Sequence, residues 1–346
     1  MIDFNRRADG VLKPTREQKE VILSEMRRGA SPAEVARKYG LRIQLVIKWR
    51  RMDLQEPLNE ALNPSEKKRS AEPEGVPAAF KHGAHLHPIY SPCGKLVTGN
   101  HPEDHRWHRG IWMAWTKTEF GDSHPDFWNQ GKGDSKEKSS DQILAEVRFD
   151  KLEKSWGGAE AGGFISKHLF LDHHHAADEK VLNETWEVEV SQKTLDGTLA
   201  NIIDLTSKQT CAGDKPLKLP KYHYGGLGVR GNLAWNPVDA VTMLTSEGYD
   251  RVKGDSTKGK WVHIGGDVDG APTGMAILIH PSNFRFPQSL RLNPKNPQLC
   301  IAPSQDGDWA IEPGKLYVSK YRILVFDTVP DAIWIEAQWN TYSNTK

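Results

Sequence analysis

The stretch His101-Pro-Glu-Asp104-His105-Arg-Trp-His108-Arg109-Gly110-Ile-Trp-Met-Ala-Trp115 packs three histidines, an aspartate and two arginines ahead of an apolar aromatic run. Loops that only connect are built mostly from Gly, Ser, Asn and Pro, so this composition asks for a different explanation. An imidazole exchanges protons near neutral pH, and a neighbouring carboxylate decides which ring nitrogen does so. The stretch therefore reads as a polar site on the lip of a core, against the plainer alternative of a His-rich surface loop before a strand. In the site reading His105 or His108 is the general acid/base, Asp104 orients it, and Arg109 stabilises developing negative charge. A divalent metal on His101, His105 and His108 with Asp104 is chemically feasible. The spacing matches no diagnostic metal motif and Pro102 argues against a helix, so no metal ligands are assigned and the cofactor is left open.

Four further stretches break the rules of plain strands. Asp126-Phe-Trp128 sets an acid beside two aromatics, and Tyr222-His223-Tyr224-Gly225-Gly226-Leu-Gly-Val-Arg230 sets a histidine and an arginine around glycines. Gly259-Lys-Trp-Val-His263 and His280-Pro-Ser-Asn283 complete the set. A single histidine at a strand end is more often hydrogen-bonded scaffolding than a ligand. Gathered into one cleft, His101, Asp126, Trp128, His223, Arg230, His263, His280 and Asn283 would give cationic donors and aromatic walls suited to a polyhydroxylated or anionic small molecule. His173-His174-His175 has the composition of a hairpin tip and reads as a solvated loop.

The elements that must position these residues read as β. Strands are expected at Ile111–Trp115, Ile143–Phe149, Phe164–Leu171, Val181–Val190, Ala200–Thr210, Gly226–Arg230, Val241–Leu244, Gly274–His280, Gln298–Ala302 and Leu316–Phe326. Residues 185–190 and 317–326 alternate polar and apolar side chains, the mark of a strand with one buried face. Only Asp331–Trp339 hints at a helix. Many short strands without regular helical spacers predict a mainly β fold, a large antiparallel β-sandwich of the supersandwich, galactose-mutarotase-like type.

Ahead of residue 78 the sequence changes character. Residues 13–52 predict three short helices, with a capping box at Thr15/Gln18, Ser31-Pro32 opening the second helix and Gly40 turning into the third. They carry 11 Lys or Arg against 4 Glu, a local surplus that suits nucleic acid although the whole chain, with 46 basic and 45 acidic residues, has no polyanion-binding signature. The domains are expected as a helix-turn-helix module over 1–52, a flexible linker over 53–77 and a β domain over 78–346. Three scattered cysteines without a CxxC point to a reducing compartment. No apolar run reaches a membrane span and no apolar leader follows the N-terminus, so a cytoplasmic protein with no membrane partner is expected.

Two resemblances follow from these residues. Ala30 to Arg51 resembles the helix-turn-helix of transposase-type bacterial DNA-binding domains. The resemblance implies that Arg42, Gln44, Ile47 and Lys48 face the major groove while Arg50 and Arg51 meet phosphates. His87-Pro-Ile-Tyr-Ser-Pro-Cys-Gly94, the 101–110 stretch, Asp126-Phe-Trp128, Tyr224 to Arg230, Gly259 to His263, His280 to Asn283 and Pro313 to Arg322 resemble, in order, the PmoA-like family of bacterial domains of unknown function. That resemblance covers nearly all of 80–327 and implies association with sugar catabolism. Arg106 and Trp107 stand where that family's pattern has Pro-His. Methane oxygenase activity does not fit a chain without a span. The expected function is carbohydrate processing or binding by acid/base chemistry of the epimerase, lyase or hydrolase type. The alternatives are a sugar-responsive DNA-binding regulator, dimeric so that a weak single module could bind specifically, and a structural or assembly protein.

Overall fold

Two Asp-Gly pairs close the hairpins that organise the larger sheet. Asp196-Gly197 and Asp269-Gly270 all take positive φ, 45° and 86°, then 50° and 76°. Asp-Gly adopts that pair of conformations readily, and the resulting turn matches the twist of the flanking strands. A computed structural model of the chain describes residues 15–27, 30–41, 45–46, 49, 80, 83–130 and 143–345. The chain divides into two compact units, Met1–Glu72 and Pro73–Lys346.

The larger unit is mainly β and its strands pair antiparallel. In chain order they are β1 (Ile111–Ala114), β2 (Ala145–Gly157), β3 (Ala161–Asp172), β4 (Glu179–Leu195), β5 (Thr198–Cys211), β6 (Leu217–Leu219), β7 (Gly226–Arg230) and β8 (Thr242–Thr245). They continue as β9 (Lys258–Gly259), β10 (Trp261–Val268), β11 (Ala271–Ile279), β12 (Gln288–Leu292), β13 (Gln298–Ile301), β14 (Trp309–Ile311) and β15 (Tyr317–Phe326). One sheet has the order β2-β3-β4-β5-β15-β11-β10-β8, the second β1-β7-β13-β12-β9, and β14 pairs β6. A single hydrophobic cluster takes Trp112, Val229 and Leu290 from the smaller sheet and Val147, Phe170, Val188 and Ile277 from the larger. β1, β7 and β13 are buried along their whole length, which is why they read as mostly apolar rather than alternating, with Arg230 and Gln298 as the polar exceptions.

A C-terminal helix, α3 (Ala332–Ser343), covers the other face of the larger sheet. Its Ile335 and Tyr342 pack on Trp261, Ala276, Leu278, Leu324 and Phe326. Asp331 caps it, accepting from the backbone N–H of Ile333 and Trp334 at 2.9 and 3.3 Å. No helix among the described residues is long and apolar enough to cross a membrane.

Each expected strand has its counterpart, displaced by a few residues at the ends. β6, β9, β10, β12 and β14 were not expected. In β10, the run Gly265-Gly266-Asp267 reads as loop, yet it is strand because the neighbours leave no room for a side chain. A Cβ on Gly266 would stand 2.2 Å from the Ala240 carbonyl oxygen and 2.8 Å from the Trp235 ring.

In the N-terminal unit, α1 (Arg16–Arg27) and α2 (Pro32–Tyr39) are helical. Thr15 and Gln18 satisfy each other's backbone N–H groups, which makes the expected capping box real, and Ser31 and Glu34 form a second one that was not expected. Gly40 sits in the left-handed region at φ 63°. Ile22, Met26, Val35, Ala36, Leu41, Val46 and Trp49 form its core. Leu45, Val46 and Trp49 are helical; the rest of the expected third helix, with Arg42, Gln44, Ile47, Lys48, Arg50 and Arg51, and the expected linker at 53–77 lie outside the described residues.

Gly228 tests how tightly the two apolar layers fit. It pairs with Trp112 across β1 and β7, and a Cβ there would meet the Trp128 ring at 2.6 Å and the Trp112 ring at 2.7 Å. Gly228→Ala should lower stability by about 1–3 kcal/mol, read as the midpoint of a urea titration followed by tryptophan fluorescence. An unchanged midpoint would mean that this layer is loosely packed.

Candidate functional site

The 101–110 stretch folds back on itself in two tight turns. The His105 N–H donates to the Pro102 carbonyl and the His108 N–H to the His105 carbonyl, while the His101 N–H donates to the His108 carbonyl at 2.8 Å. Its end is stitched to the smaller sheet, the Gly110 N–H donating to Gly99 and the Arg230 N–H to Gly110 at 2.7 Å. Gly110, at φ 47°, must be glycine, since a Cβ would lie 2.0 Å from the Leu86 carbonyl oxygen.

This turn brings Asp104 over Arg230, whose side chain is 0 % exposed. The guanidinium donates to Asp104 Oδ1 at 3.1 Å and to Asn236 Oδ1 at 2.8 Å. Asn296 Nδ2 donates to Asp104 Oδ2 at 3.2 Å. The same Oδ2 faces His105 Nδ1 at 2.8 Å. Partial burial alone would raise the Asp104 pKa, but the His105 hydrogen bond and the Arg230 charge outweigh it and hold the carboxyl well below its usual range. An ionised Asp104 accepts the proton on His105 Nδ1, which leaves Nε2 of the neutral ring as an open base. Beside them lies a cleft of about 430 Å³ lined by Glu103, Asp104, Asn236, Lys295 and Asn296.

Under His105 runs a row of rings in contact, stacked at the first pair and tilted or edge-on beyond it. His105 lies parallel to His108 at 4.6 Å, His108 meets Trp112 at 5.1 Å, Trp112 meets Trp128 at 4.7 Å, and Trp128 meets Tyr224 at 5.5 Å. His108 is fully enclosed. Burial first, then the charges of His105 and Arg230, push its pKa well below the ordinary value, so it is neutral. Several buried polar atoms here have no hydrogen-bond partner among the described residues: Trp107 Nε1, His108 Nδ1, Trp112 Nε1, Arg230 Nε and Asn296 Oδ1. Each such atom costs about 1–3 kcal/mol when nothing meets it. Asp126 is structural: it accepts from the backbone of Trp128 and Asn129 and from the Asn129 amide, and burial, opposed by those bonds, raises its pKa. That Asn129 amide also donates to the Tyr224 hydroxyl at 2.8 Å. His223 is exposed and stacks on Tyr222 and Tyr224 at 4.4 and 4.7 Å, joining the far end of the row.

Other residues expected in one pocket are placed elsewhere. Arg109 is buried and donates to the Phe80 carbonyl at 2.9 Å; with the Gln130 amide turned so that its oxygen faces the guanidinium, Arg109 also donates to it at 3.1 and 3.2 Å. It therefore anchors chain segments and is not paired with Asp104. His101 lies buried, its Nδ1 2.7 Å from the Arg106 carbonyl oxygen, which braces the turn. His263 is in the layer under α3, stacked on Phe326 at 5.7 Å. His280 bonds Ser282 and the Thr345 carbonyl, and Asn283 exchanges hydrogen bonds with the Lys320 backbone. These three hold the C-terminal helix and β15 in place. In the loop after β3, His173, His174 and His175 face Asp178 and Glu146, Asp172, and Asp122 respectively. Among the described residues no group of three or more His, Cys, Asp or Glu is placed to hold a metal ion.

Two features escaped the sequence reading. Asn236 and Asn296 carry no local signal, because Asn236 meets Arg230 and Asn296 meets Asp104 only through the fold. The second is a row on the inner face of the larger sheet, where His168 pairs across to Glu184 and Ser166 sits two residues earlier on the same face. Here a signal existed: polar residues at inward positions of alternating strands.

A family described as "Family of unknown function (DUF6807)" matches residues 68–340. This overturns the PmoA-like identification; the ordered motifs lie within the residues matched by this family, and no transposase-type module is matched at the N-terminus. No curated protein matches the chain.

Burial fixes how the fold responds to acid. It lowers the pKa of His85 and His263 to about 3 and of His87 to about 4, and that of His108 well below normal. The unfolded chain binds these protons below about pH 6.5 and the folded chain does not. The stability is therefore complete above that pH and is lost as pH falls toward the folded values, by up to about 1.4 kcal/mol per pH unit for each histidine. Urea midpoints should drop steeply from pH 6.5 downward, and His263→Phe should make the decline shallower. A midpoint indifferent to pH over that window would contradict the buried neutral histidines.

Proposed function

We propose that this chain, which belongs to the DUF6807 family of unknown function, binds and processes a carbohydrate at the Asp104–His105 site. The observation that carries the reading is the clamped dyad. Asp104 is held by Arg230 and Asn296 and in turn holds His105 Nδ1, at the rim of a cleft lined only by polar and charged side chains. Acids, amides and a lysine around an open space suit a molecule with many hydroxyls. His105 Nε2 takes or gives the proton, and Asp104 stabilises the imidazolium that forms. Asp104, with its pKa held low, is not the proton donor. This is chemistry of the epimerase, lyase or hydrolase type, with His108 and the tryptophans as its floor. The two sheets with a common core are read as a supersandwich of the sugar-mutarotase type, and that analogy of fold agrees with a sugar ligand.

A panel of neutral and acidic mono- and disaccharides, screened by thermal shift on the full chain, tests the reading. A ligand at 100 times its Kd should add about 2.7 kcal/mol of stability. Asp104→Asn should remove that shift. His105→Ala should retain most of it while lowering turnover of the identified sugar by roughly 10²- to 10⁴-fold. No shift with any saccharide, or an undiminished shift in Asp104→Asn, would defeat it.

A further inference from the structure

A second cleft, of about 680 Å³, opens on the inner face of the larger sheet, away from the residues that surround Asp104. Its floor carries a chain of three polar side chains, two on β3 and one on β4. Ser166 Oγ lies 2.9 Å from His168 Nε2, and His168 Nδ1 lies 3.0 Å from Glu184 Oε2. All three are buried, at 2 %, 2 % and 1 % exposure, yet Ser166 and His168 line the cleft.

The hydrogen bonds assign the protons. Glu184 Oε1 accepts from Ser207 Oγ at 2.6 Å and Gln209 Nε2 at 2.8 Å, and Trp115 Nε1 donates to Gln209 Oε1 at 2.8 Å, fixing the amide's orientation. With Oε1 taken up by those two donors, Oε2 is left to accept from His168 Nδ1. His168 therefore donates from Nδ1 to Glu184 and presents a lone pair on Nε2, which the Ser166 hydroxyl meets as donor. Nucleophile, base and orienting carboxylate stand in that order within hydrogen-bond reach. Strand register enforces the geometry: His168 is opposite Glu184, and Ser166 is opposite Trp186. The His168 ring is further held edge-on by Trp186 at 4.9 Å. Stability does not demand this arrangement, because an apolar row would fill the same layer at little or no cost.

We propose that Ser166, His168 and Glu184 form a nucleophilic triad that cleaves esters with a small apolar acyl group, a second activity separate from the Asp104–His105 site. Phe149, Leu152, Phe164 and Trp186 give the cleft one apolar wall for the acyl group, and His85 and His87 line the other side, where a polar alcohol portion fits. Ser166 Oγ attacks the carbonyl carbon while its proton moves to His168 Nε2. The carbon–oxygen bond to the alcohol breaks, and His168 gives that proton to the departing oxygen. Water then attacks the acyl-serine, passing a proton to His168; the acid leaves and the proton returns to Ser166. The sum is ester plus water to acid plus alcohol. Ser166 and His168 are the catalytic residues, and Glu184 is a positioning residue.

An alkyl fluorophosphonate probe incubated with the full chain, followed by peptide mapping, tests this. The adduct should form on Ser166 and disappear in Ser166→Ala, together with hydrolysis of p-nitrophenyl acetate. In Glu184→Gln the maximal labelling rate should fall at least about tenfold at an unchanged half-saturating probe concentration, a split that general loosening of the fold would not produce. Absence of an adduct on Ser166 in the native protein would overturn the proposal without relying on any variant to fold. A Glu184→Gln protein labelled at the native rate would overturn it as well.

Discussion

The Arg230 guanidinium, buried at the end of β7, is the constraint on which the candidate site depends. A cation that deep must have its charge met, and removing one partner of such a pair costs far more than the pair contributes. Asp104 and Asn236 meet it, and Asp104 reaches it only because residues 101–110 fold down onto the smaller sheet. That same turn sets His105 against Asp104, which lines the cleft, and carries His108 into the aromatic row. One ion pair thereby sets the height of the loop, the ionisation of Asp104 and the tautomer of His105. Since Asp104 remains half exposed (44 % for its side chain), solvent screens it and its share of the stability is modest. Its effect is chiefly on geometry.

Histidines in this protein separate by what surrounds them. His263 and His280 sit under or beside α3 and hold it. His101 braces a turn. His105 differs in being partly exposed, oriented by a fixed carboxylate and adjacent to buried polar atoms without partners. His168 differs in another way: it is enclosed, but the hydroxyl it meets faces an open cleft. Residue type alone does not make this distinction. What does is whether a carboxylate orients the ring beside an open cleft; His263 has neither, and both its ring nitrogens are buried with no hydrogen-bond partner among the described residues.

Much of the β architecture was legible because periodicity reports burial directly. β15 shows it: inward Ser319, Tyr321 and Ile323 alternate with half-exposed neighbours. Short, mostly apolar runs marked β1, β7 and β13, whose residues are buried along their whole length. β10 stayed hidden because Gly265-Gly266-Asp267 has turn composition, and only the close approach of Trp235 and the Ala240 carbonyl explains the glycines. Of the candidate site, Asp104, His105, His108, Trp128 and Arg230 could be named from composition. Asn236 and Asn296 could not, since their roles rest on contacts over more than a hundred residues of chain, or, for Asn236, on a turn that redirects it toward Arg230. Arg109 was misjudged because an arginine next to a histidine cluster suggests chemistry, whereas its guanidinium fills the space beside Gly83 that a Cβ would take. The inward polar pair Ser166 and His168 was present in the alternation of β3, but a local pattern does not reveal that Glu184 lies opposite.

The most direct test of the account is the protonation state of the His105 ring, read by ¹⁵N NMR of histidine-labelled protein at a pH where the ring is neutral. With Asp104 held by Arg230, His105 should be the Nδ1–H tautomer, with the chemical shift of Nε2 that of an unprotonated nitrogen. In Asp104→Asn that preference should collapse toward the Nε2–H form usual in free histidine. A native protein already in the Nε2–H form, or one whose tautomer does not change in Asp104→Asn, would contradict the claim that the Arg230–Asp104 pair fixes His105 as the base.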